Sequence, residues 1–129
     1  MLKRTLFFAL LLSILLPSCK KVEGVGGKAT IKGKVYVKNY VGTTLTSEFY
    51  GADYDVYIIY GEDNTFYDDN VKTSYDGSFE FRYLRPGTYK VFAYTDDSSS
   101  PSGQSEVMTI VEIDGKKDII EIEDLVIKD

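Results

Sequence analysis

The sequence predicts an all-β fold, a β-sandwich of about seven strands. Three observations carry this. Beyond residue 28 apolar and polar residues alternate with period two, glycine- and proline-bearing turn signals recur at short spacing, and no stretch has convincing helical periodicity.

The elements follow in order. Ala29, Ile31, Val35 and Val37 share one face of a first strand, and Thr30, Lys32, Lys34 and Lys38 share the other. The run from Tyr54 to Tyr60 is rich in β-branched and aromatic residues and is bounded by Gly51 and Gly61. Val71 to Ser74 reads as a short strand. It leads through Asp76-Gly77, a hairpin signal because this pair tolerates the positive φ of a tight turn. Phe79 and Phe81 then face one way, Glu80 and Arg82 the other. Arg85-Pro86-Gly87 is a second turn, after which Tyr89, Val91 and Ala93 resume the alternation. Two last strands are expected over Glu106 to Ile113 and Asp118 to Ile127, and Asp96 to Gly103 reads as a flexible polar loop.

The span from Val71 to Tyr94 carries a pattern of its own: a strand, Asp76-Gly77, Phe79-x-Phe81, Leu84, Pro86-Gly87, then Tyr89 and Val91. This resembles the core signature of the carboxypeptidase regulatory-like and transthyretin-like domains, whose opening Gly-x-Val strand is matched by Gly33-Lys34-Val35. The resemblance implies a seven-stranded Ig-like (prealbumin/transthyretin-like) sandwich over residues 29–129, used as an accessory, spacer or binding module. The segment Asn39 to Asp53 departs from it, being longer than the usual link, with Gly51-Ala52 as the remnant of a Pro-Leu-x-Gly-Ala segment.

Ahead of the domain, Lys3 and Arg4 precede an apolar run from Leu6 to Leu16, interrupted by Ser13, and the chain continues Leu16-Pro17-Ser18-Cys19. A positive end, a short apolar stretch and a small residue before the cut are the parts of a secretory signal. The run is shorter than the roughly 20 residues that span a bilayer as a helix. With the chain's single cysteine at its end, the segment resembles the lipobox of bacterial, Bacteroidetes-like lipoproteins. The resemblance implies a signal peptide over 1–18, a covalent lipid on Cys19, and a flexible glycine-bearing tether over 19–28. It also implies an outer-membrane protein held by its lipid. Lysines follow the cysteine where surface-exported lipoproteins carry acids, which favours the periplasmic side.

Composition excludes much chemistry. There is no histidine, and a lipidated Cys19 leaves no thiol, so Ser-His-Asp, Cys-His and histidine-bearing zinc sites are absent. The ureide-hydrolysing transthyretin-like enzymes depend on histidines, so that activity does not carry over. The expectation is a protein that is not an enzyme. Glu62, Asp63, Asp68 and Asp69 are weak calcium candidates because they offer hard oxygen ligands, though their spacing misses the EF-hand loop. An internal isopeptide from Lys32 or Lys34 to Asp118 or Asp124 is disfavoured, because both lysines fall on the polar face. The chain carries 15 basic and 20 acidic side chains, and cleavage before Cys19 removes Lys3 and Arg4, leaving a net charge of −7. That argues against nucleic acid as a partner. Net charge argues equally against anionic lipid at the domain surface, and Lys20-Lys21 alone is too small for a polybasic patch.

Tyrosine is the unusual part: 11 residues, with no tryptophan. Tyr54 and Tyr89 read as core. Tyr57, Tyr75, Tyr83 and Tyr94 fall opposite their apolar neighbours or in turns, and form the candidate interface, since tyrosine combines contact area with a polar tip. The leading expectation is a non-catalytic module docking to another cell-envelope protein. The alternative is a surface carbohydrate-binding or adhesion module. A contiguous apolar-aromatic patch or an unpaired sheet edge favours the first, and a coplanar row of tyrosines beside polar loop residues favours the second.

Overall fold

The computed structural model describes residues 22–129, and the expected signal peptide and Cys19 lie outside the described residues. The described chain is all-β. Nine strands run β1 (Val25–Val41), β2 (Thr44–Tyr50), β3 (Asp55–Tyr60), β4 (Asp69–Lys72), β5 (Ser78–Leu84), β6 (Gly87–Asp96), β7 (Gln104–Ile113), β8 (Ile119–Glu121) and β9 (Leu125–Lys128). They form two sheets. One gathers β2, β5, β8 and β9 around β1, and the other has the order β4-β3-β6-β7.

The alternation in the sequence decides which faces meet. Ala29, Ile31, Val35 and Val37 of β1 and Phe79, Phe81 and Leu84 of β5 are buried together with Val56 and Ile58 of β3. Tyr89, Val91 and Ala93 of β6 and Val111 and Ile113 of β7 complete the second side, and Leu125 and Ile127 of β9 the first. Burying each valine, leucine, isoleucine or phenylalanine side chain among these contributes roughly 1.5–3 kcal/mol, which is how a chain without a disulfide gains its stability.

Each of the seven expected segments forms a strand, with two differences. The link Asn39 to Asp53 contains β2, which pairs antiparallel with the end of β1. Every residue of β2 is exposed, so no face is buried to impose an alternation. The last segment is split: β8 pairs parallel with Thr30 to Lys32 and β9 with Val35 to Lys38. The break falls opposite Gly33, where a Cβ would come within 2.8 Å of Ile122 and 2.9 Å of the Phe79 ring.

Asp76-Gly77 makes the expected tight turn, closed by Gly77 N–H to the Ser74 carbonyl at 2.9 Å, with Gly77 at φ 79°. It is not a hairpin between paired strands, however. The preceding β4 pairs with β3 and the following β5 with β1, so the chain crosses here from one sheet to the other. Asp96 to Gly103 is also more ordered than its composition suggests. The Asp97 carboxylate accepts from the Ser99 backbone N–H at 3.0 Å and from its hydroxyl, contacts that hold its pKa below the usual aspartate value.

The second half of the expected tether belongs to the fold. Gly24 is buried, and β1 begins at Val25. The cause is a closed ring of three hydrogen bonds. Gly24 N–H donates to the Tyr89 hydroxyl at 2.9 Å, that hydroxyl donates to the Arg85 carbonyl at 2.7 Å, and Arg85 N–H donates to the Gly24 carbonyl at 2.9 Å. Glycine is needed at position 24 because its φ is 128°.

The ring gives the first prediction. Tyr89→Phe keeps the packing but leaves a buried N–H without an acceptor, a loss of about 1–3 kcal/mol. Urea unfolding measures it, and amide exchange at Gly24 should accelerate in the same variant. A stability change within about 0.5 kcal/mol, the scatter of neutral surface changes, would show that the ring does not hold this end.

Candidate functional site

The outer face of the four-stranded sheet carries the densest group of aromatic side chains. In β3 the inward residues are Val56 and Ile58, which turns Asp55 and Tyr57 outward, and in β6 the same logic turns Phe92 and Tyr94 outward. Register does the rest. Tyr57 lies opposite Phe92, and Phe92 opposite Met108 of β7, so three strands contribute one row.

Tyr57 and Phe92 stack with centroids 5.1 Å apart and planes at 18°. Tyr94 meets Tyr57 edge-on at 5.4 Å and Phe92 at 5.6 Å, and Tyr67 from the β3–β4 loop covers Tyr57 at 4.8 Å. Phe92 is therefore only 4% exposed although it lies outside the core. Tyr67 and Tyr94 remain exposed beside it, and Met108 and Ile110 of β7 are exposed on the same face of the sheet. Burial raises the Tyr57 pKa, with the Asp55 charge adding to the effect. One end is acidic: Asp55 neighbours Tyr57 along β3, Asp96 neighbours Tyr94 along β6, and Glu106 lies opposite Tyr94, whereas Lys90 lies opposite Ile110 at the other end. Lys72 sits 3.4 Å from Asp55 and 3.7 Å from Asp53, an exposed arrangement that adds little stability.

Beside the patch is a cleft of about 290 Å³ lined by Tyr54, Asp55, Tyr57, Tyr94, Asp96 and Gln104, among others. The Tyr54 hydroxyl donates to the Asp129 carboxylate. Burial first, and then that hydrogen bond and charge, push the Tyr54 pKa up to about 12.

The structure thus brings together two of the four candidate tyrosines. Tyr75 stands alone in the turn before Asp76, 92% exposed. Tyr83 lies on the other sheet, at a bulge where Phe81 to Leu84 face Ile31 to Ala29, and has φ 61°. Sequence reasoning missed Phe92, Tyr67, Met108 and Ile110. The Phe92 signal was present: Val91-Phe92-Ala93 puts an apolar residue at the position where alternation calls for a polar one.

The calcium candidates do not converge. Asp68 accepts from the Tyr60 N–H at 2.7 Å, Asp69 from the Asn70 N–H at 2.8 Å, and the Lys90 ammonium occupies the Glu62 carbonyl at 2.9 Å. Among the described residues no group of three or more His, Cys, Asp or Glu side chains could hold a metal ion. Asp118 is engaged by Gly115 N–H and Asp124 by the Tyr50 hydroxyl, while Lys34 lies over the Tyr50 ring at 4.8 Å.

The chain matches no protein-family model and no curated protein. Its fold is similar to a crystal structure of a "putative carbohydrate binding protein" from Pseudomonas aeruginosa, with a TM-score of 0.49 and 14% identity over 87% of this chain and 92% of that one.

Two predictions follow from the geometry. Tyr57→Ala removes three aromatic contacts at roughly 0.5–1.5 kcal/mol each and uncovers Phe92, for a loss of about 2–3 kcal/mol. Tyr75→Ala should stay within about 0.5 kcal/mol. Equal urea midpoints for the two variants would refute the clustering. The second concerns alkaline pH. A tyrosine whose folded pKa lies above its unfolded value of 10.0 binds its proton more tightly in the folded state. Its contribution is complete below pH 10 and is lost as pH rises towards 12, so Asp129→Asn should flatten the stability decline in that window and advance the Tyr54 titration seen by absorbance.

Proposed function

We propose that this protein is a lipid-anchored, non-catalytic module of the cell envelope that docks to another envelope protein through the outer face of the four-stranded sheet. The observation that carries the reading is the Phe92 cluster. A folded domain that had no use for this face would place polar residues on it, as most of β1 does on its own outer side. Here an exposed aromatic and apolar group spans β3, β6 and β7, and β7 is an edge strand with one side unpaired. Patches of this kind mark interaction sites, and a free edge offers backbone groups for strand addition. The Asp96–Glu106 end calls for a basic group on the partner beside its apolar centre.

Anchoring rests on the lipobox-like Leu16-Pro17-Ser18-Cys19, with acyl chains on Cys19 and the outer membrane as the site, facing the periplasm. Two or three chains suffice for stable attachment. The domain is read as a carboxypeptidase regulatory-like, transthyretin-like sandwich in which β2 and the separation of β8 from β9 are additions to a seven-strand plan. No catalytic residue is assigned.

A carbohydrate-binding role is the second reading. It is favoured by the cleft in which Tyr57 and Tyr94 lie beside the carboxylates of Asp55, Asp96 and Asp129, the Lys128 side chain and the Gln104 amide. It stands second because Tyr94 meets its neighbours at 70° and 86°, which leaves no flat platform for a sugar ring.

Affinity purification from native membranes in mild detergent, with a C-terminal tag, tests the reading. One stoichiometric envelope partner is expected, retained by Tyr75→Ala and lost in Tyr94→Asp/Met108→Asp. Cys19→Ala should leave the membrane fraction. Recovery of folded, lipidated protein with no partner would overturn docking and make glycan-array binding the decisive assay.

A further inference from the structure

A second feature lies at the other end of β6. Lys28 of β1, Arg85 of the β5–β6 turn, and Lys116 and Lys117 of the β7–β8 turn line one cleft of about 420 Å³. No acidic side chain lines it. Among the described residues none of these four cations forms an ion pair, whereas Lys32, Lys72 and Arg82 each do. Arg85 is seated rather than loose. Its backbone belongs to the Tyr89 ring, and its guanidinium lies so close to Gly26 that a Cβ there would come within 2.6 Å of it. Four like charges from three separate segments line one cleft with no ion pair to any of them, a site that attracts an anion.

Position identifies the anion. Val22 lines the same cleft, and Cys19 lies three residues before it. At 3.3–3.6 Å per residue, even a fully extended chain keeps Cys19 within about 11 Å of Val22. We infer that this cleft seats the phosphate headgroups of anionic phospholipids in the membrane that carries the protein. The inference rests on the lipid-anchored reading, because acyl chains on Cys19 bring the bilayer to the cleft, with Lys20 and Lys21 between them. The net negative charge of the chain does not oppose it. Charges beyond roughly 8–10 Å are screened at physiological ionic strength, so the end nearest the membrane interacts through its own cations.

The test uses the lipidated protein in vesicles of phosphatidylcholine alone or with added phosphatidylglycerol, reading lysine acetylation rates by mass spectrometry. The N-terminal peptide mass reports the acyl chains first. If they are absent the anchored reading fails by itself, and vesicle binding of the same protein still reads the cleft. Lys28, Lys116 and Lys117 should react several-fold more slowly with phosphatidylglycerol present, while Lys72 and Lys90 should react alike in both. Each cation near an anionic surface is worth roughly fivefold in affinity, so K116Q/K117Q should restore most of the Lys28 reactivity. Equal rates in the two vesicles would overturn the inference. Protection by inorganic phosphate in phosphatidylcholine vesicles, with none from phosphatidylglycerol, would overturn it too, by assigning the cleft to a soluble phosphate.

Discussion

The five-stranded sheet depends on β1. Its other four strands pair with β1 and not with one another, and at 3–7 residues each they are short. The pivot is at Gly33 to Val35. Val35 N–H donates to the Gly77 carbonyl at the start of β5, and the Val35 carbonyl accepts from Gly51 N–H just after β2, so one residue passes that edge from one partner to the other. On the opposite edge β8 ends at Lys32 and β9 begins at Val35. The absence of a side chain on Gly33 lets Phe79 and Ile122 close over this crossing. A strand that must satisfy four partners has little freedom of register, because a one-residue slip would turn Ile31, Val35 and Val37 to solvent.

The parts of the fold that bury one face were legible. Alternation assigned the inward residues of β1, β3, β5 and β6 because each has a core side and a solvent side. Where that asymmetry is missing, the signal is missing too. Thr44 to Tyr50 is exposed on both faces, so its composition reads as a link. Asp76-Gly77 was legible as a turn but not as a crossing, since the turn chemistry is the same whichever sheet each flanking strand joins. The glycines at 24, 26 and 27 suggested flexibility, but a hydroxyl 65 residues away orders Gly24. The site was half legible for a related reason. Tyr57 and Tyr94 stood out as tyrosines opposite apolar neighbours, whereas their meeting at Phe92 depends on β3–β6 register, which one sequence does not encode locally.

Charge is similarly hidden in one dimension. The excess of acids describes the average surface, and the Asp96–Glu106 end of the aromatic patch follows it. Lys28, Arg85 and Lys116-Lys117 are scattered along the chain and look like ordinary solvated residues. They converge because the Tyr89 ring draws the start of β1 onto the turn before β6, while β7 returns antiparallel to β6 and delivers its own following turn to the same end. The latch that orders the N-terminal segment is thus also what assembles the basic cleft.

This arrangement separates the two proposed surfaces along one strand. From Pro86 at the basic cleft to Tyr94 in the aromatic patch is eight residues, which at about 3.3 Å per residue is roughly 26 Å. A domain resting on headgroups through Lys28, Arg85 and Lys116-Lys117 would therefore carry Tyr94 and the neighbouring cleft well clear of the lipid surface. Had both features lain at the same end, membrane contact and partner contact would compete for one surface. With β6 as a spacer between them, contact with the bilayer at the basic cleft would leave the Phe92–Tyr94 end of the patch open to a partner from the side.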